Sequence, residues 1–344
     1  MRIAIVANDL GLGGAERQAT LWARECAAMG HEVVVVVLAS LGGQYELPDA
    51  IEVAALGKSH TADLPRVVRR LRAVTRDHDL AIAFQVYPAL CCALARRGRP
   101  WLVVAGNDPR HLREMSRVPA PLFRWAFGRA ALACAPTRGI ADCHERLGYR
   151  PRGRWLVVPN IVDREAFVEP NGDKHGILFV GRLAPEKNPQ LAVDAAAAAG
   201  APLTIAGQGA LEQTLRRALR DRSGGARVDL RGFVERPWEL YAGHRVLLVT
   251  SRHESFGNMI VESLAAGTPV VSVDCDFGPR ELIGRARYSH LGEPDPARLG
   301  ELLRAVLARP YTEAERQECL ELASGYRPES VAPLIRGAVE EARS

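Results

Sequence analysis

The sequence predicts an α/β protein built as two Rossmann-like parallel-sheet domains facing a cleft. Three observations carry that expectation. Short apolar runs alternate with helix-length segments from residue 3 to residue 158. The alternation stops in a polar stretch at 160–175 that holds Pro170, Asn171 and Gly172, and it restarts at 176. Runs such as 33–38, which reads VVVVVL, are continuous rather than alternating, as in strands covered on both faces. At 344 residues the chain has room for two domains of ordinary size. The expected division is 1–159, a linker at 160–175, a second domain at 176–326, and a tail at 327–344.

Taken in order, residues 3–7 form a strand, 11–14 a glycine turn, and 15–29 an amphipathic helix closed by Gly30. Strands follow at 33–38, 80–85, 101–105, 131–135 and 156–158. Residues 66–74 read as a basic helix with an apolar stripe. Its two readings are a surface helix packed on the sheet and a patch for anionic lipid. In the second half strands are expected at 176–181, 202–206, 228–230, 245–250 and 270–273. Helices are expected at 189–199, 211–220 and 259–266. Open sheets of this kind bind ligands at the carboxyl ends of their strands.

Composition excludes several classes. The net charge is +5 and aromatics make up 6%, with no basic run interleaved with aromatics, so nucleic acid is not an expected partner. Seven cysteines without a CxxC read as reduced, cytoplasmic usage. The N-terminus reads as a strand rather than a signal peptide, and no apolar run approaches the ~18 residues of a membrane span. The nine histidines show no metal-ligand spacing.

Four constellations carry chemistry. Glu254 and Glu262 flank Phe256-Gly257-Asn258, where Asn258 suits an N-cap and Gly267 suits the residue after the helix. A helix N-terminus attracts phosphate, and carboxylates beside it accept hydrogen bonds from sugar hydroxyls. Arg182 and Lys187 lie in Gly181-Arg182-Leu183-Ala184-Pro185-Glu186-Lys187-Asn188-Pro189, between a strand and a helix, where two cations can clamp a diphosphate. The plainer reading is a solvated loop with an internal Arg182–Glu186 pair. Gly11-Leu12-Gly13-Gly14-Ala15-Glu16 follows the first strand and lets a ligand approach the backbone. As a dinucleotide fingerprint it lacks the third glycine, because Glu16 stands there, and it lacks an acid after Leu38. Asp274-Cys275-Asp276 matches a metal-holding triplet of some sugar transferases, but it is read here as a turn.

These motifs together resemble the retaining glycosyltransferases of family 4, which have the GT-B fold. The resemblance spans the chain. It rests on Gly13-Gly14-Ala15-Glu16, Pro159-Asn160-Ile161-Val162-Asp163, Gly181-Arg182-Leu183 with Glu186-Lys187-Asn188, Gly207-Gln208-Gly209, Gly232-Phe233-Val234, and Glu254 with Glu262. The resemblance implies that Arg182 and Lys187 bind the donor diphosphate and that Glu262 holds the ribose. Glu254 would contact the transferred sugar, beside the N–H groups of Phe256, Gly257 and Asn258. Phe233 and Val234 would line the nucleobase, with Gly13, Gly14 and Gly207 at the donor. The tail would be a helix crossing back to the first domain. In this sequence Ser255 and Asn258 replace the family's usual Gly and Pro. Gly106-Asn107-Asp108-Pro109 stands where a His or Arg usually faces the sugar, which leaves Asn107 and Asp108 as acceptor candidates.

The implied activity is retaining transfer of a hexose or N-acetylhexosamine from a nucleotide-sugar, with UDP the expected nucleotide. The acceptor is a hydroxyl of a saccharide, a lipid-linked glycan or a natural product. No cofactor and no metal are expected, and peripheral contact with the inner membrane face is allowed. The alternatives are an NAD-type oxidoreductase and a catalytically silent nucleotide-sugar-binding protein.

Overall fold

The computed structural model describes all residues except 12, 40–46, 113–117, 170–172, 221–226 and 344. Leu12 of the first glycine turn, and Pro170, Asn171 and Gly172 of the expected linker, therefore lie outside the described residues. The chain divides into two compact units, Met1–Ile161 with Pro328–Ser344, and Val162–Arg327.

The first unit holds strands β1 (Arg2–Ala7), β2 (Glu32–Val37), β3 (Glu52–Ala55), β4 (Leu80–Phe84), β5 (Trp101–Val104), β6 (Leu132–Ala135) and β7 (Trp155–Val157). They form one sheet in the order β3-β2-β1-β4-β5-β6-β7, and every pairing is parallel. Central β1 shows why the run is continuous. Ile3 and Ile5 enter one core and Ala4 and Val6 the other, so successive side chains must all be apolar. On one face, helix α1 (Gly14–Ala28) brings Trp22. On the other lie α2 (Leu64–Val74) with Val67 and Leu71, α3 (Val86–Ala95) with Leu90, and α4 (Ala120–Phe127) with Phe123 and Phe127. Helix α5 (Arg138–Arg146) starts on a Thr137 cap.

The second unit repeats the plan. Its strands are β8 (Ile177–Val180), β9 (Leu203–Ala206), β10 (Val228–Gly232), β11 (Val246–Val249), β12 (Val270–Val273) and β13 (His290–Gly292). Their order is β10-β9-β8-β11-β12-β13, again all parallel. Its helices are α6 (Pro189–Ala199), α7 (Glu212–Arg220), α8 (Trp238–Gly243), α9 (Asn258–Ala265), α10 (Gly278–Ile283), α11 (Pro296–Ala308) and α12 (Glu313–Ser324). In each unit the strand order turns back on itself beside one central strand, between β1 and β4 and between β8 and β11. That is the switch point where ligands bind in open sheets.

The last helix, α13 (Pro328–Arg343), belongs to the first unit, where Val331, Ile335 and Val339 are fully buried. Glu341 there accepts two hydrogen bonds from Arg154, at 2.9 and 2.8 Å.

Three local expectations change. The edge strand β3 was not anticipated, because Glu52-Val53-Ala54-Ala55 has no continuous apolar run. The strand expected at 80–85 ends at Phe84, and Gln85 turns away with φ 76°. The N-cap of α9 is Gly257 rather than Asn258. Gly257 sits at φ 95°, which favours glycine, so Asn258 becomes the first helical residue.

Candidate active site

β8 and β11 are neighbours at the second switch point, and each feeds a loop that ends at a helix N-terminus. Residues 181–188 lead into α6 and residues 250–257 lead into α9. The loops are stitched together. Thr250 Oγ1 donates to the carbonyls of Lys187 and Asn188, at 2.9 and 3.0 Å. The Arg252 N–H donates to the Glu186 carbonyl at 2.8 Å.

This stitching brings Lys187 onto Glu254. Lys187 Nζ donates to Glu254 Oε1, and the same oxygen accepts from Ser251 Oγ at 2.7 Å. The two side chains are only 15% and 8% exposed, so the pair is largely desolvated and each charge depends on its partner. Glu254 is fixed from behind as well. It forms a parallel bridge to Phe277, and the Gly278 N–H donates to its carbonyl at 2.9 Å. A Cβ on Gly278 would lie 2.0 Å from the Phe256 carbonyl, so only glycine lets these loops meet. The Cys275 thiol lies in the same neighbourhood. Burial and then the Glu254 charge push it up to about 12.

Arg182 leaves the same loop but points outward, 73% exposed, with Nη2 3.0 Å from Glu186. Glu262 is buried on α9 and accepts from the Tyr241 hydroxyl at 3.0 Å. The Phe256 ring is core, 3% exposed and edge-on to Tyr326, so what it offers a ligand is backbone. Phe233 stands 43% exposed just past Gly232. Gly207 lies against the neighbouring loop, where a Cβ would fall 1.9 Å from the Gly181 carbonyl. Its N–H donates to the Gly232 carbonyl at 2.7 Å, so the loops after β8, β9 and β10 close up on one another. Asp274 pairs with Arg280. No group of three or more His, Cys, Asp or Glu able to hold a metal occurs among the described residues.

Gly13, Gly14, Asn107 and Asp108 belong to the first unit. Gly13 caps α1 at an ordinary φ of −85°, and the Glu16 carboxylate folds over it, 1.9 Å from where a Cβ would sit. A carboxylate suits that helix N-terminus, and a dinucleotide pyrophosphate would have to displace it. Asn107 is half-buried. Asp108 is buried with both oxygens held by Arg110, at 2.7–3.0 Å. Burial opposes its charge, yet the Arg110 guanidinium and N–H hold the carboxyl below its usual range.

Sequence reading passed over Thr250, Ser251, Tyr241 and Gly278. Ser251 had a signal, lying three residues before Glu254. Tyr241 had none, because only α8 packed on α9 brings it to Glu262.

The chain is similar to known proteins over most of its length. Residues 12–166 match the family model described as Glycosyltransferase Family 4, and residues 163–321 match Glycosyl transferases group 1. The chain is 37% identical over 318 residues to a GDP-mannose-dependent alpha-mannosyltransferase of Mycobacterium tuberculosis, covering 82% of this chain and 81% of that one. It is 35% identical over 121 residues to an N-acetylgalactosaminyltransferase of Campylobacter jejuni whose name specifies a diphospho-undecaprenol-linked substrate. That match covers 35% of this chain and spans only a third (33%) of the relative's length. In fold, the chain is similar to HepE of Anabaena in complex with UDP and glucose, with a TM-score of 0.80, 18% identity and 99% of each chain covered. With a 37% identical relative matched along most of its length and a glycosyltransferase model on each half, the chain belongs to glycosyltransferase family 4, with the two-domain GT-B fold.

Proposed function

We propose that this chain transfers a hexose or N-acetylhexosamine, with retention, from a nucleoside diphosphate sugar to a hydroxyl of a saccharide, a lipid-linked glycan or a small-molecule acceptor. The observation that carries this reading is the desolvated Lys187–Glu254 pair at the switch point of the second unit, beside the N-terminus of α9. As the donor's C1–O bond breaks, negative charge grows on the departing diphosphate. Lys187 and the N–H groups at the start of α9 stabilise that charge, more in the transition state than in the ground state. Arg182 joins them by leaving Glu186. Glu254 orients the sugar's hydroxyls and Glu262 holds the ribose. The acceptor oxygen forms the new bond to C1 on the face the diphosphate leaves, and a phosphate oxygen takes the acceptor's proton. No side chain needs to attack C1, and no metal is assigned to the step.

The expected nucleotide from sequence is UDP, but the relative matched along most of the chain is named for GDP-mannose. GDP-mannose is therefore the first donor to test, with UDP-hexoses and UDP-N-acetylhexosamines beside it. The name of the Campylobacter relative supports including a polyprenyl-diphosphate saccharide among the acceptors. No helix among the described residues is long and apolar enough to cross a membrane. Three of the four α2 arginines lend little to a membrane contact. Arg66, Arg70 and Arg72 donate to the carbonyls of Gly57, Leu56, Leu94 and Ala95, which holds them against the protein.

Turnover with this donor panel, read by product anomeric configuration with and without chelator, is the test. Retention that survives chelator is expected. Inversion would end the retaining reading, and loss of activity in chelator would return Asp274 and Asp276 to consideration.

A further inference from the structure

The first unit has its own switch point, and one residue there is both strained and unsatisfied. Gln85 follows β4 with φ 76° and ψ 173°, left-handed backbone that a side chain disfavours. The backbone is pinned there. Its N–H donates to the Val104 carbonyl at 2.9 Å, and its carbonyl accepts from the Ala89 N–H at 3.1 Å. Gln85 thus occupies the N-cap of α3, yet its side chain makes no capping hydrogen bond. The residue is 9% exposed, and Oε1 is enclosed with no partner. Nε2 reaches across the end of β5, 3.5 Å from where a Cβ on Gly106 would sit.

A glutamine kept for structure looks different in the same unit. Gln18 donates from Nε2 to the Ile161 carbonyl and accepts at Oε1 from the Ile161 N–H, both at 2.8 Å. Gln85 has no such use. For folding alone, glycine would fit the φ, and serine or asparagine would cap the helix. The position carries an unfavourable backbone and an unpaired buried amide oxygen together, at the crevice where an open sheet binds ligands.

We infer that Gln85 is an acceptor-binding residue, its carboxamide hydrogen-bonding a pair of neighbouring hydroxyls on a saccharide acceptor held by the first unit. With the carboxamide turned toward the crevice, Oε1 accepts a hydrogen bond from one hydroxyl while Nε2 donates to the oxygen of the next. An uncharged diol satisfies both atoms, whereas a phosphate or carboxylate would leave Oε1 facing negative charge. Asp108, close to Gly106 in sequence, is occupied by Arg110 and does not compete for the ligand. This inference rests on the glycosyltransferase reading and assigns to it one acceptor contact.

The test uses the full chain with the donor panel above, and methyl α-mannoside and methyl N-acetyl-α-glucosaminide as acceptor probes. Gln85→Gly removes the amide and relieves the backbone. It should leave Tm equal or higher and raise the acceptor KM about tenfold. Donor KM and the thermal shift given by GDP or UDP should stay unchanged. Gln85→Glu keeps the shape but loses the Nε2 donor, and it should raise acceptor KM in the same way. An acceptor KM within twofold of wild type in both variants overturns the inference. A fall in Tm for Gln85→Gly with unaltered acceptor KM does so too, by assigning Gln85 a structural role. If the wild type transfers to neither probe from any donor, the simple saccharide acceptor assigned to Gln85 falls, and the activity reading falls only if the lipid-linked acceptor also fails. If the wild type transfers and the variants match it, only Gln85 loses its role.

Discussion

At the scale of single residues, charge burial sets the strongest expectations. Lys187→Ala leaves the Glu254 carboxylate, 8% exposed, without its cation. We expect transfer to fall at least about 100-fold, as when one fixed donor to a developing anion is removed. Stability should fall by about 3 kcal/mol from the unpaired buried charge, read as the denaturation midpoint of the apo-protein. His144 gives a pH prediction. It is fully buried among Phe127, Tyr149 and Trp155, and its Nδ1 lies 3.0 Å from the Ile140 carbonyl. Burial lowers its pKa from 6.5 to about 4, with the Ile140 hydrogen bond and the Asp108 charge opposing. The unfolded chain therefore takes up this proton first as pH drops. Its contribution is fully present above about 6.5 and is lost as pH falls toward 4, about 3 kcal/mol in all. Denaturant midpoints at pH 7.5 and 4.5 should differ less in His144→Phe than in wild type. An equal drop in both proteins would remove His144 as the source.

At the scale of elements, the glycines separate close packing from ligand access. At Gly207 a Cβ would meet the Gly181 backbone, which cannot swing aside. Gly207→Ala should cost about 2 kcal/mol or more and open the loops after β8, β9 and β10. At Gly13 the obstructing atom is the end of the flexible Glu16 side chain, and φ is −85°. Gly13→Ala should change Tm little. If the glycine serves a ligand's approach, the donor KM rises while Tm holds, and paired thermal and kinetic measurements on the two variants separate the cases. Pattern alone located most of these elements. Val33 to Val37 could only be a buried strand, and Asn188-Pro189 opens a helix as its spacing suggests, with Asn188 itself left-handed. Glu52–Ala55 leaves no strand signal in the sequence because it is an edge strand, half wetted and without periodic apolar residues. The cap of α9 was misplaced by one residue because Asn258 is a good capping type by preference, whereas the close turn after Phe256 demands the positive φ of Gly257.

At the scale of the whole molecule, the two units draw on different parts of the chain. The first needs α13, which supplies Val331, Ile335, Ala338, Val339 and Ala342 to its core. Buried aliphatic side chains are each worth about 1–3 kcal/mol. Ending the chain at Arg327 should therefore unfold the first unit while the second persists. Hydrogen exchange resolved by segment would show this as protection lost from 1–161 and kept in 162–327. Equal loss in both would contradict independent cores. The second unit has its own internal tie. Arg245 meets Glu315 through two hydrogen bonds of 2.9 Å, and both are almost fully buried.

Periodicity and composition by themselves determined two α/β sheets, the loops on which Lys187 and Glu254 lie, and the helix that carries Glu262. Those features follow from local chemistry: apolar runs must be buried, and glycine, proline and asparagine restrict the backbone where they stand. Tertiary structure alone decided which groups meet. Glu254 faces Lys187 because β8 and β11 are neighbours, and Glu262 meets Tyr241 because α8 packs on α9. It also decided that Gln85, an ordinary strand residue by sequence, carries a strained backbone and an unpaired amide oxygen. Contacts between distant residues depend on strand order and on solvent exclusion, and neither is written in the local pattern of the chain.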